Sequence, residues 1–158
     1  MEVIMNLVQL IYASRMTEQC GPRELREILD KSREKNQSLG ITGVLCYDQS
    51  SFLQCLEGAR DVVNDLYNVI VADKRHKDIM LIHYSDIHRR DFEMWTMAYL
   101  NVEDLSKDIV FKYSIDRTFD PYRMSDKQAL GFLTEITMEK QKFLKEQQEK
   151  YQAKKSSG

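Results

Sequence analysis

Residues 40–58 (Gly-Ile-Thr-Gly-Val-Leu-Cys-Tyr-Asp-Gln-Ser-Ser-Phe-Leu-Gln-Cys-Leu-Glu-Gly) constrain the fold of this chain more than any other stretch. Residues 44–47 are apolar, β-branched or aromatic, residues 48–51 form a polar turn, and residues 52–56 are a returning apolar run. This is the pattern of a β-hairpin. Side chains alternate along a strand, so Phe52, Gln54 and Leu56 share one face, and Leu53 and Cys55 the other. Gln54 is therefore flanked by two large apolar groups. A buried primary amide must satisfy two donors and an acceptor, or it costs on the order of 1–3 kcal/mol. Something polar is expected against this face of the sheet.

The rest of the chain supplies the partners of that hairpin. Residues 7–12 read as a strand with Val8, Leu10 and Tyr12 on one face and Leu7 and Ile11 on the other. With both faces apolar, it should be a central strand covered on two sides. Pro22 opens a helix whose inner stripe is Leu25, Ile28, Leu29, Ser32 and Asn36, and which ends between Asn36 and Gly40. A second helix, residues 59–73, carries Val62, Val63, Leu66, Tyr67, Ile70 and Val71 on its apolar stripe. A fourth strand is expected over 79–85. The second half of 92–100 reads as a fifth, with Trp95, Met97 and Tyr99 sharing a face.

The order is β-α-β-β-α-β-β. This predicts an α+β, ferredoxin-like sheet with two helices on one face. The other face needs a cover. A short helix within 104–113, a break at Asp120-Pro121 and a long helix capped by Ser125 can provide it, with Ala129, Leu130, Leu133, Ile136 and Phe143 inward. The organisation expected is a sheet domain over 1–102, a helical cap over 103–152 and a disordered tail over 153–158. The charged end of the last helix reads as a solvated face supported by i,i+4 pairs such as Glu146 and Lys150; a partner-binding tail is the alternative.

Composition excludes several function classes. Across 158 residues with 42% hydrophobic content there is no apolar run long enough to span a bilayer. The first six residues, Met-Glu-Val-Ile-Met-Asn, carry no basic region, which argues against a secretory signal. A net charge of −2 offers no general attraction to nucleic acid or to an anionic membrane. Cys20, Cys46 and Cys55 are odd in number and lack metal-ligand spacing, which suits a reducing, cytoplasmic setting. His76, His83 and His88 have no companions at ligand spacing, and no phosphate-binding glycine loop is present.

What remains is a set of polar residues at element ends: Tyr12, Asn36, Gln54, Arg75 and His76. Each has an ordinary structural reading, as a core tyrosine, a helix cap, a satisfied amide or a helix-dipole partner. In the expected topology, however, they converge on a slot between the two helices.

Five blocks carry a resemblance: Leu10-Ile-Tyr-Ala-Ser14, Asn36-Gln-Ser-Leu-Gly-Ile-Thr-Gly-Val-Leu45, Phe52-Leu-Gln-Cys-Leu-Glu-Gly58, Asp73-Lys-Arg-His76 and Phe92-Glu-Met-Trp-Thr-Met97. Together, over about residues 5–100, they closely resemble the BLUF family of blue-light receptors that use flavin; the remainder loosely resembles its short, single-domain members. The resemblance implies a non-covalent FAD between the two helices. It implies Tyr12 as the redox tyrosine and Gln54 as the switching glutamine. Asn36, Arg75 and His76 become cofactor-binding residues, with Lys31 a candidate for the phosphates, and Trp95 and Met97 the signal relay. Light then moves an electron and a proton from Tyr12, the Gln54 amide rotates or tautomerises, and its hydrogen bonds rearrange. The implied protein is a homo-oligomeric photoreceptor, not an enzyme, that signals to a separate partner protein. A light-independent flavin-binding protein or flavoenzyme on the same fold is the alternative.

Overall fold

A computed structural model describes residues 6–157; residues 1–5, most of the stretch read for a signal sequence, and Gly158 lie outside the described residues. The elements are β1 (Leu7–Met16), α1 (Pro22–Leu39), β2 (Thr42–Tyr47), β3 (Ser51–Ala59), α2 (Arg60–Ala72), β4 (His76–Asp86), β5 (Ala98–Asn101), α3 (Lys107–Lys112) and α4 (Asp126–Ser156). The sheet order is β4-β1-β3-β2-β5. The first four strands pair antiparallel, and β5 adds parallel to β2. The architecture is the ferredoxin-like one expected, extended by one edge strand.

Local chemistry sets the element boundaries. The Asp48 carboxylate accepts from Ser50 N and Ser51 N, each at 2.8 Å, and turns the β2–β3 hairpin. Pro22 starts α1, Glu24 reaches back to the Gly21 amide at 3.1 Å, and Gly40 ends the helix in the left-handed region at φ 67°. Ser125 and Gln128 form the capping box of α4. β1 runs four residues beyond expectation, because Ser14 and Arg15 pair with Phe52 and Ser51 of β3 and the ladder continues past the apolar run.

The sheet separates two cores. On one side Val8, Leu10, Tyr12, Leu45, Phe52 and Leu56 meet Val63 of α2 and the partly buried Leu25, Ile28 and Leu29 of α1. On the other, Ile11, Val44, Cys46, Leu53 and Cys55 meet Val110, Phe132, Leu133 and Ile136 of the C-terminal helices. Each fully buried large side chain contributes roughly 1.5–3 kcal/mol, so α4 is an integral wall of the domain.

Three expectations about stripes and ends are corrected. Val71 is exposed, because α2 turns it to solvent at its last turn. Phe143 is exposed as well, since it lies in the solvent-exposed reach of α4 over residues 141–156; Phe132, outside the expected stripe, fills the core instead. Residues 153–156, expected in a disordered tail, are helical, with no breaker before Ser156 and Lys154 and Lys155 complementing the helix C-terminus. Among the described residues no helix is long and apolar enough to cross a membrane, and no group of three His, Cys, Asp or Glu could hold a metal.

Candidate functional site

Tyr12 and Gln54 are direct partners in the β1–β3 register. Both are buried on the α1/α2 side, and the Tyr12 hydroxyl donates to Oε1 of Gln54. Burial, with smaller contributions from Tyr67 and Asp73, holds the Tyr12 phenol far above the usual phenol range. The phenol therefore stays neutral while the chain is folded. The Gln54 amide donates from Nε2 to Sδ of Met97 at 3.6 Å, and a thioether is a weak acceptor. Gln54 is thus held firmly through its carbonyl and loosely through its amide.

His76 stands against this pair, and Asn36 is buried further along α1. His76 opens β4 rather than trailing α2. Its Nδ1 lies 3.0 Å from Ser14 Oγ, its Nε2 bonds the Ile70 carbonyl, and its ring is edge-on to Tyr12 at 6.5 Å. Asn36 is the one buried residue of the eighteen in α1, and its Nδ2 has no hydrogen-bond partner. An orphaned buried donor costs about 1–3 kcal/mol. The backbone carbonyl of Asn36 accepts from Ile41 N at 2.9 Å, so the main chain closes the helix while the side-chain donor stays unpaired.

A cavity of about 40 Å³, lined by Tyr12, Ile28, Ser32, Leu45, Phe52, Gln54 and His76, lies at the centre. The residues present fit a flavin: an aromatic and amide cluster on the sheet, apolar groups from α1 on the facing wall, and an unpaired buried amide donor, Asn36 Nδ2, on the same helix.

The remaining expected residues are placed differently. Trp95 and Met97 precede β5 instead of lying on it, and they do not share a face. The chain turns at Phe92–Trp95 through a 3.1 Å backbone bond, which breaks strand alternation between residues 95 and 97. Met97 is buried against Gln54, whereas Trp95 packs with the cap-side core under Lys140, whose Nζ lies 5.9 Å from the ring centroid. Arg75 does not enter the slot. Its guanidinium is taken by Asp73 at the end of α2 (Nε–Oδ1 3.0 Å, Nη2–Oδ2 2.5 Å), and that hydrogen-bonded guanidinium holds the Asp73 carboxyl below the usual carboxylate range. Lys31 is exposed on α1 and lines none of the cavity.

Sequence reasoning also missed a buried polar network on the opposite face, formed by Gln9, Glu57, Asp91 and Arg90. The signal was available. Gln9 interrupts an apolar strand just as Gln54 does, and the same satisfaction argument applies to it.

The model of the BLUF family, sensors of blue light using FAD, matches residues 7–98. The chain belongs to the BLUF family. Membership makes it a blue-light sensor, and BLUF domains bind flavin. Among solved structures it is similar to BlsA in its photo-activated state (33% identity, TM-score 0.74, 82% of this chain and 93% of that one). It is also similar to BlrB in its dark state (28% identity, TM-score 0.71, 84% and 96%). Photoactivated adenylate cyclase subunit beta of Euglena longa is 34% identical over 101 residues, which is 63% of this chain. The blue light- and temperature-regulated antirepressor BluF of Escherichia coli is 26% identical over 127 residues, 80% of this chain. The chain spans 12% of the Euglena protein and 32% of the Escherichia coli protein. Its sheet matches the BLUF architecture, and every candidate residue named above lies within the matched span.

One prediction follows from Asn36. Asn36→Leu is expected to stabilise the flavin-free chain by about 1 kcal/mol, because it removes an orphaned donor. It should also weaken flavin binding about fivefold to tenfold. Thermal unfolding without flavin and flavin titration by fluorescence check the two halves. Unchanged affinity would remove Asn36 from the binding site.

Proposed function

We propose that this chain is a blue-light photoreceptor that holds FAD non-covalently between α1, α2 and the sheet and passes its signal to a separate protein. The observation that carries the reading is the buried Tyr12–Gln54 hydrogen bond with Met97 behind it. Asn36 and His76 would hold the ring. Arg75 and Lys31, turned elsewhere, are left for the outer parts of the cofactor. The flavin, when bound and excited by blue light, supplies a one-electron oxidant.

Tyr12 is the electron donor. A phenol that has lost an electron becomes strongly acidic, and its proton passes along the existing bond to Oε1 of Gln54. Gln54 can take it because one planar amide carries both acceptor and donor. The electron and a proton would then return to Tyr12, so that no net redox change remains, and the amide would be left rotated or tautomerised with its contact to Met97 exchanged. A hydrogen-bond exchange in a buried site is worth roughly 0.5–1.5 kcal/mol, enough to bias a two-state element but not to unfold a domain.

The element so biased is the segment before β5 together with α4. Trp95 lies under Lys140, Lys140 Nζ donates to the Tyr99 carbonyl at 3.0 Å, and Gln141 donates to Met94 Sδ at 3.5 Å. Residues 1–102 act as the sensor and 103–152 as the transmitting cap. The exposed Phe143, Leu144 and Tyr151 on the free reach of α4 support a homo-oligomeric or partner-bound form. Free cysteines suit a cytoplasmic setting. The chain acts by contact rather than by turnover.

An absorption spectrum before and after blue light tests the reading. The expected result is a yellow protein with a small reversible red shift. A yellow protein with no shift would make it a light-independent flavoprotein.

The relay is tested separately. Met97→Ala is expected to keep the flavin and the shift, to cost about 2–4 kcal/mol of stability as a buried large-to-small change, and to lose the light-induced change in Trp95 fluorescence. Trp95 is the only tryptophan in the chain, so the readout is unambiguous. A full fluorescence response in Met97→Ala would exclude Met97 from the relay.

A further inference from the structure

Glu57 is completely buried, yet it faces away from the flavin side of the sheet. Its Oε2 accepts from Gln9 Nε2 and from the Asp91 backbone amide, both at 2.8 Å. Its Oε1 accepts from the Phe92 amide at 2.8 Å and from Thr42 Oγ1 at 3.4 Å. Gln9 Nε2 also donates to Asp91 Oδ2 at 2.8 Å. Arg90 completes the cluster by donating to Thr42 Oγ1 (2.7 Å), the Glu57 carbonyl (3.0 Å) and the Gly40 carbonyl (2.8 Å). Four donors converge on this one carboxyl group, so both of its oxygens are engaged. A buried charge is tolerated only when so satisfied.

The placement of this anchor is informative. Glu57 and Gln54 lie three residues apart on β3, one facing each side of the sheet. Glu57 grips the start of segment 91–97 at Asp91 and Phe92, and Gln54 meets its end at Met97. In between, Gly43 N donates to the Trp95 carbonyl at 3.0 Å, and Glu93, Met94 and Thr96 are exposed. One rigid strand therefore sets the span between the anchor and the switching amide. α4 meets the same segment between those two points, through Lys140 over Trp95 and Gln141 on Met94.

We propose that Glu57 is a positioning residue for the photoactive switch: it fixes the start of segment 91–97 so that Met97 is held on Gln54 and Trp95 on the cap. The proposal rests on the photoreceptor reading above. With the anchor in place, the Gln54 amide can reorient only against a fixed Met97. With the anchor loosened, Met97 yields and the amide returns more readily.

The test uses the full, flavin-loaded chain and Glu57→Gln, which keeps the shape and replaces one acceptor oxygen by a donor facing backbone N–H groups. The expected result is retained flavin and retained red shift, dark recovery at least about fivefold faster, the scale of one buried hydrogen bond, and greater acrylamide quenching of Trp95 in the dark. Gln9→Met removes one of the four donors without touching the carboxylate. It should move both readouts the same way by less, and it serves if Glu57→Gln does not fold. Recovery and quenching at wild-type values in a folded variant would overturn the proposal, as would a lowered melting temperature with neither readout changed. Absence of any red shift in the wild type would overturn the photoreceptor reading instead; the Trp95 quenching comparison would still report on the anchor.

Discussion

Tyr12→Phe is expected to leave the protein yellow and to abolish its light-induced red shift. The substitution removes one oxygen and keeps the ring, which lies 5.8 Å from that of Tyr67. Packing and flavin binding should therefore be nearly untouched. What disappears is the hydroxyl that donates to Gln54 Oε1. Phenylalanine is a much poorer electron donor than a phenol and has no proton to release, so both halves of the transfer are lost together. Burial raises the phenol far above its usual range, so Tyr12 should contribute no change to the dark spectrum between about pH 6 and pH 9. Difference spectroscopy on the variant and the wild type is the measurement. A shift of wild-type amplitude in Tyr12→Phe would remove Tyr12 from the photochemistry and leave Gln54 without a proton source.

Gly43→Ala is expected to be the most damaging single methyl group that can be added to the site. A Cβ at residue 43 would stand 1.9 Å from the Cys55 carbonyl oxygen and 3.3 Å from Met97 Cε. The side chain of Met97 could move; the carbonyl could not, because Cys55 is in the interior of β3 and pairs with both β1 and β2. Relief requires displacing β2 from β3. Gly43 also holds Trp95 through its amide, so the same displacement pulls on the segment that carries Met97. The expected loss is about 3 kcal/mol or more, in the range of severe backbone strain and core overpacking, which corresponds to roughly 10 °C in melting temperature for a chain of this size. Thermal unfolding by circular dichroism measures it. A melting point within about 2 °C of wild type would mean that the sheet opens far more cheaply than its geometry implies.

The two substitutions probe different things. Tyr12→Phe removes chemistry from an intact frame, whereas Gly43→Ala disturbs the frame and with it the position of Met97. Glu57→Gln lies between them, since it leaves both the reacting groups and the sheet but relaxes the segment that connects switch and cap.

Much of the site was legible before any coordinates. Alternation along residues 52–56 placed Gln54 with Phe52 and Leu56 and opposite Leu53 and Cys55, and the two cores divide them in that way. The same parity placed Val8, Leu10 and Tyr12 together, and the helical stripe of α1 led to Asn36. Strand and helix periods are local properties of the backbone, so which face a residue takes is written in its spacing once the element is recognised. The order of elements then limits the topology to very few choices.

Tertiary structure alone decided the rest. Trp95 and Met97 parted because the chain turns before β5, and spacing carries no information across a turn whose geometry depends on Gly43 and Glu57, both more than 30 positions away. Arg75 left the slot because Asp73 offers it a bidentate carboxylate two residues back, a competition between partners rather than a pattern. Glu57 became an anchor only when β1, β3 and the segment after β4 met around it. Periodicity fixes direction relative to an element's own axis. Hydrogen-bond partners are chosen by whatever the fold brings within 3 Å, and that choice is made by the whole chain at once.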